Sequence, residues 1–127
     1  MAEKKTVLVV DDASLVRLYY RTTLEAAGFN VEEALNGLEA LEKLPGLGAD
    51  LLIVDINMPQ MDGFSFLAAT RQMDAPVAGT PALLTSTESR EADFEAARVA
   101  GANYYLVKPV SQQTLVEVAC MLCGVRR

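Results

Sequence analysis

Histidine is absent from the 127 residues, and cysteine occurs only twice. A C-x-x-C pair can mark a redox centre or half of a zinc site. Here Cys120 and Cys123 lie late in an apolar helical segment, with no histidine and no second cysteine pair to join them. They are expected to be reduced thiols serving as small apolar side chains. No staple is required, because 127 residues are near the modal size of one domain and can bury a core. Long apolar runs are missing as well, so neither a membrane span nor a membrane partner is expected. The opening "MAEKKTVLVV" places two lysines before an apolar run. That run stops at Asp11 without a small-residue cleavage pattern, so it does not read as a signal peptide, and a cytoplasmic location follows by default. Positive charge is scarce: 11 Lys and Arg stand against 17 Asp and Glu, a net charge of −6. Such a chain suits a phosphate backbone poorly, and no direct nucleic-acid contact is expected. Internal repeats, linkers and low-complexity segments are also lacking, and 51% apolar with 22% charged residues is a globular composition.

What is present is an alternation. "TVLVV" (6–10), a short stretch around Val31, "DLLIV" (50–54), "PALLT" (81–85) and "YYLV" (104–107) read as strands. Between them lie helical patterns. The first, 14–28, has its spacing at Leu15, Leu18, Thr22 and Leu24/Glu25 and is capped by Gly28. The second, 37–44, starts after Asn36 and is stopped by Pro45 and Gly46. Helices at 63–73 behind Asp62, at 90–100 ended by Gly101, and from Ser111 to about Cys123 complete the set. Five β-α units imply a parallel sheet covered on both faces, a single doubly wound α/β domain over 1–127.

The strand ends carry the chemistry. The stretch "LLIVDINMPQMDG" (51–63) runs four large apolar residues into Asp55, then into a Pro-and-Gly turn. A charge at that point costs free energy unless something binds it. The first strand ends at Asp11 and Asp12, the fourth at Thr85, the fifth before Lys108. Singly, Asp12 could cap a helix, Asp55 start a turn, Thr85 serve as a β-former and Lys108 be a solvated strand end. Together they occupy the carboxyl edge of one parallel sheet, where ligands bind. Two carboxylates about 4 Å apart repel by roughly 4 kcal/mol at an effective dielectric near 20. A divalent cation or Lys108 must offset that, and an oxygen-only donor set suits Mg²⁺ rather than zinc. A hard cation, an ammonium and a hydroxyl around a spare carboxylate describe a phosphoryl-transfer site with an Asp nucleophile.

"VVDD", "LLIVDINMPQMDG", "LLTS" and "YYLVKP" together resemble the signature of response-regulator receiver domains of two-component signalling, over essentially the whole chain. Within that family the look is nearest to stand-alone chemotaxis-type regulators. The resemblance implies a flavodoxin-like five-stranded sheet of order 2-1-3-4-5. It implies Asp55 as phosphoacceptor and Asp11, Asp12, Asp55 and the Asn57 backbone carbonyl as ligands for Mg²⁺, with Mn²⁺ as a substitute. Lys108 would pair with the phosphoryl group, Thr85 would hydrogen-bond it, and Tyr105 would be an aromatic switch that follows Thr85. Lys108–Pro109 is a candidate cis bond. Autophosphorylation from small donors and autodephosphorylation would be intrinsic, in a signalling protein rather than a metabolic enzyme. The donor would be a sensor histidine kinase or phosphotransfer protein, selected on the first helix near Arg17 and Arg21. Two departures stand out: Ser86 follows Thr85 where Ala or Gly is usual, and Val110 follows Lys-Pro where an aromatic is common.

The chain ends shortly after its last helix, so output through contacts of the domain itself is expected. In "TLVEVACMLCGV" Leu115, Val118, Ala119 and Leu122 can face the sheet, leaving Val116, Cys120, Met121 and Cys123 outside. With Tyr105 and helix 90–100, that face is expected to meet a protein target or a second copy. Other readings stay open: a dehalogenase-like phosphatase, although residue 57 is Asn rather than the expected second Asp; a flavodoxin-like protein, although "DDAS" would repel phosphate without a metal; a receiver cut from a larger regulator or hybrid kinase; and a phosphate sink. Without metal, Asp11→Asn should stabilise the fold by relieving like-charge repulsion.

Overall fold

The computed structural model describes residues 4–126. The apolar runs form strands β1 (Thr6–Val10), β2 (Asn30–Ala34), β3 (Leu51–Asp55), β4 (Ala82–Ser86) and β5 (Tyr104–Val107). They alternate with helices α1 (Ser14–Ala26), α2 (Gly37–Leu47), α3 (Gly63–Arg71), α4 (Glu91–Ala100) and α5 (Gln112–Cys123), and a 3-10 turn spans Val77–Gly79. All neighbouring strands pair in parallel in the order β2-β1-β3-β4-β5. This is the doubly wound flavodoxin-like topology expected from the sequence.

Side chains alternate across each strand, so the sheet divides the core in two. Val7, Val9, Leu51, Ile53 and Leu83 face α1 and α5. Leu8, Val10, Leu52, Val54 and Leu84 face α2, α3 and α4. Each fully buried leucine contributes roughly 1.5–3 kcal/mol by leaving water. The strands thus hold their own carboxyl ends in fixed register, which is what a site at that edge requires. The chain leaves β1 for β2 on one side and enters β3 on the other, so the crevice opens between the ends of β1 and β3.

The helix starts follow local chemistry. Asn36 accepts from the Glu39 N–H at 2.8 Å, Asp62 from Ser65 at 2.8 Å and Ser111 from Thr114 at 3.1 Å. Helix α2 departs from expectation by running through Pro45 and Gly46 to Leu47, ending at a left-handed Gly48. Proline removes one backbone donor from the final turns, while Leu44 and Leu47 pack on the core and hold that end in place.

Two helix faces also differ from expectation. On α1 the inward residues are Val16, Tyr20, Thr23 and Leu24, while Leu15 is 78% exposed and Leu18 and Thr22 also point out. The inward stripe has helical spacing of its own, and the apolar Leu15 and Leu18 compete with it in the sequence pattern. On α5, Val116 and Cys120 are buried rather than outward, and Cys123 is half-buried. The sheet covers one side of α5 and α1 packs on another, so a helix apolar nearly all round is buried within its own domain. Met121 is the large apolar residue of α5 that remains outside, 57% exposed. Both cysteines are free thiols, and burial pushes that of Cys123 up to about 11, away from thiolate chemistry at neutral pH.

Candidate functional site

Asp55 is the last residue of β3, paired across the ladder with Thr85 of β4. It is only 6% exposed. Its Oδ1 lies 3.3 Å from Lys108 Nζ and accepts from the Asn57 N–H at 3.3 Å. Asp11, one residue past β1, is 1% exposed. Its Oδ1 accepts from the Ala13 N–H at 2.9 Å and its Oδ2 lies 3.1 Å from Lys108 Nζ. Asp12 is exposed beside them. It does not cap α1: the cap position is Ala13, and no side chain fills that role. One carboxylate oxygen from each of Asp11, Asp12 and Asp55 lies within 4.8 Å of the others. All are hard oxygen donors, a set that fits Mg²⁺ and leaves phosphate or water to complete its shell.

Lys108 is therefore shared between two buried carboxylates. Burial works against its charge, but Asp11 and Asp55 outweigh it and hold the ammonium above its ordinary pKa. Burial raises the Asp55 carboxyl, Lys108 pulls it back and Asp11 pushes it up again, leaving it above the usual carboxylate range. An acid raised in the folded state costs stability at neutral pH, and that cost disappears as pH falls through the folded pKa. Asp55→Asn is accordingly expected to stabilise the metal-free protein by on the order of 1 kcal/mol at pH 7. Urea midpoints of both proteins should converge toward acid pH; a gap that widens there would contradict the assignment. Asp11→Asn removes the same repulsion between Asp11 and Asp55, and its gain is expected to be smaller because Ala13 and Lys108 both satisfy Asp11.

Thr85 is fully buried, and its Oγ1 lies 3.5 Å from the Val54 carbonyl, at the outer limit for a hydrogen bond. Its other side-chain partner is the phenol of Tyr20, and it stands next to Asp55. Ser86 points to the opposite face and its Oγ accepts from the Glu88 N–H at 3.0 Å, so its hydroxyl serves the loop. Tyr105 is set apart from the carboxylates. Its hydroxyl donates to the Glu88 carbonyl at 2.8 Å and its ring meets Phe94 edge-on, 4.7 Å between centroids. The Lys108–Pro109 bond is cis, and so is Ala75–Pro76, which nothing in the sequence singled out.

The turn after β3 is shaped by contact. Gly63 N–H donates to the Ile56 carbonyl at 2.9 Å. A Cβ on Gly63 would stand 2.6 Å from the Asp55 carbonyl oxygen and 2.8 Å from Ile56 Cα, both backbone atoms. Gly63→Ala is expected to cost about 2 kcal/mol, read as a lower urea midpoint. Met58 is buried under this turn, while Asn57 is exposed, with its carbonyl in the loop beside Asp55.

Sequence reasoning missed Tyr20 and gave Arg17 a different role. Tyr20 is buried on α1, and its phenol feels Lys108, Thr85, Asp11 and Asp55; burial raises its pKa. It is reached only by following the helical spacing from Val16 rather than from Leu15. Arg17 reaches not outward but back to the Asp11 carbonyl, at 2.7 Å. Above Tyr20, a groove of about 590 Å³ is bordered by Leu15, Tyr19, Thr87, Lys108 and Val110.

Residues 7–119 match the family model of the response regulator receiver domain. The chain is 40% identical over 121 residues to chemotaxis protein CheY1 of Helicobacter pylori, covering 93% of this chain and 96% of that protein. It is 42% identical over 110 residues to transcriptional regulatory protein PrrA of Mycobacterium leprae, covering 87% of this chain and 46% of PrrA, so the match spans about half of that relative's length. Among solved structures, chemotaxis protein CheY4 of Vibrio cholerae superposes with a TM-score of 0.89 at 36% identity, covering 94% of this chain and 99% of that one.

Proposed function

The chain belongs to the response regulator receiver domain family, phosphoacceptors of two-component signalling, and on that footing we propose that Asp55 is its phosphoacceptor. The observation that carries this is the shared Lys108: one ammonium bridges Asp11 and Asp55 at the switch point of the sheet. An Asp55 oxygen attacks the phosphorus of the donor, the new P–O bond forms, and the bond to the donor breaks with its electron pair leaving on the donor. Asp11, Asp12, Asp55 and the Asn57 carbonyl would hold Mg²⁺, or Mn²⁺ in its place, which neutralises charge on the transferring group. Lys108 then turns from the Asp55 carboxylate to a phosphoryl oxygen. Thr85, at rest between the Val54 carbonyl and the Tyr20 phenol, donates its hydroxyl to another. Water attack on the same phosphorus returns the resting carboxylate, so gain and loss of phosphate are intrinsic to a protein that signals.

Receiver domains take their phosphate from histidine kinases or phosphotransfer proteins. For this chain the donor's landing place is proposed on α1 beside the groove, a cytoplasmic encounter. Arg17 and Arg21 are poor choices for that contact, because both are paired with Glu33, at 2.9 and 2.6 Å. Leu15, Leu18 and Tyr19 are exposed there instead. Output is proposed through α4 and β5, where Phe94, Val99, Tyr104 and Val107 are exposed, and through α5, where Met121 is exposed. Tyr105 links the site to that surface when Thr85 moves and its bond to Glu88 is given up. A downstream protein or a second copy would be met there.

Intact mass after incubation with acetyl phosphate tests the reading. Gain of one phosphoryl group with Mg²⁺ and none with EDTA is expected. No gain in a protein shown by titration to bind Mg²⁺ would overturn it.

A further inference from the structure

We propose that Arg17 is a positioning residue that fixes the Asp11 turn in its cation-binding shape, an inference that rests on the acidic site described above. Asp11 offers three oxygens, and each has one partner. Oδ1 takes the Ala13 N–H, Oδ2 takes Lys108, and the main-chain carbonyl takes Arg17 Nη1 at 2.7 Å. The Asp11 N–H in turn donates to the Ala34 carbonyl of β2. Arg17 is itself anchored. Its Nε donates to Glu33 Oε1 at 2.9 Å, and the second Glu33 oxygen accepts from Arg21 Nε at 2.6 Å. With a side chain only 16% exposed, the guanidinium is a planar strut from β2 to the first residue after β1.

The strut sits at an electrostatically awkward place. A cation beside a cation site repels the ion, so charge alone would favour a neutral residue here. The compensating effect is geometric: a guanidinium can bind Glu33 and the Asp11 carbonyl at once with its donors in fixed directions, whereas an ammonium is a point charge on a flexible stem. Charge and positioning therefore predict opposite signs when Arg17 is replaced.

The test is Mg²⁺ titration of the wild-type, Arg17→Gln and Arg17→Lys proteins, followed by tyrosine fluorescence. Arg17→Gln removes the repelling charge and the strut together. Weaker Mg²⁺ binding, by about 10-fold, is expected despite the lost charge. Arg17→Lys keeps the charge, so it isolates the fork and remains informative if Arg17→Gln fails to fold; it too is expected to bind Mg²⁺ more weakly than wild type. Tighter or unchanged binding by Arg17→Gln, or wild-type affinity in Arg17→Lys, would overturn the proposal while leaving Asp55 as acceptor untouched. Absence of Mg²⁺ binding by wild type would overturn both. Mg²⁺ binding without phosphoryl gain would overturn the acceptor reading alone.

Discussion

Lys108→Ala is expected to destabilise the metal-free protein by about 3 kcal/mol and, at the same time, to tighten its hold on Mg²⁺. The two effects have one origin. Among the described residues, Lys108 is the cation in ion-pair contact with both Asp11 and Asp55. Its removal leaves two buried carboxylates facing each other without a counter-charge. Breaking a buried pair from one side costs about 3–5 kcal/mol, and the partial exposure of the Lys108 side chain places this case at the lower end. The same loss deepens the negative potential into which a divalent ion binds. Added Mg²⁺ should therefore recover much of the lost stability in the variant and raise its urea midpoint more than that of wild type. A midpoint deficit that Mg²⁺ leaves unchanged would show that Lys108 acts by packing its aliphatic stem.

Asp55→Asn is expected to reduce phosphoryl incorporation from acetyl phosphate by at least about 10³-fold, with folding intact. An amide is not a competent nucleophile at neutral pH, and the neighbours are poor replacements. Asp11 has its oxygens committed to Ala13 and Lys108, while Asp12 is exposed and makes no contact with Lys108 among the ion pairs of the described residues. The variant should still bind Mg²⁺, since two carboxylates remain. Phosphorylation of Asp55→Asn at a rate near that of wild type would place the acceptor elsewhere.

The strand ends were legible in the sequence because a parallel sheet carries every strand's carboxyl end to one edge. Asp11, Asp12, Asp55, Thr85 and Lys108 needed only the β-α alternation to be brought there. Helix ends behind Asn36, Asp62 and Ser111 were legible because each cap is a local interaction. What failed was tertiary. Val116 and Cys120 looked outward from α5 because a helix sequence does not say that a second helix will cover it, and α1 does. Leu15 and Leu18 looked inward because they are leucines, yet α1 presents Val16, Tyr20, Thr23 and Leu24 to the core. Arg17 seemed a surface charge for a partner, because its bonds to Glu33 and the Asp11 carbonyl join residues that only the β1–β2 pairing brings close.

That Asp55 carries the phosphoryl group is tested most directly by reducing the freshly phosphorylated wild-type chain with borohydride, which converts an aspartyl phosphate to homoserine, and mapping the product by mass. Conversion at residue 55 alone is the expected result. Conversion at Asp11 or Asp12, or a phosphoryl group that survives reduction on Thr85, Ser86 or Thr87, would contradict it.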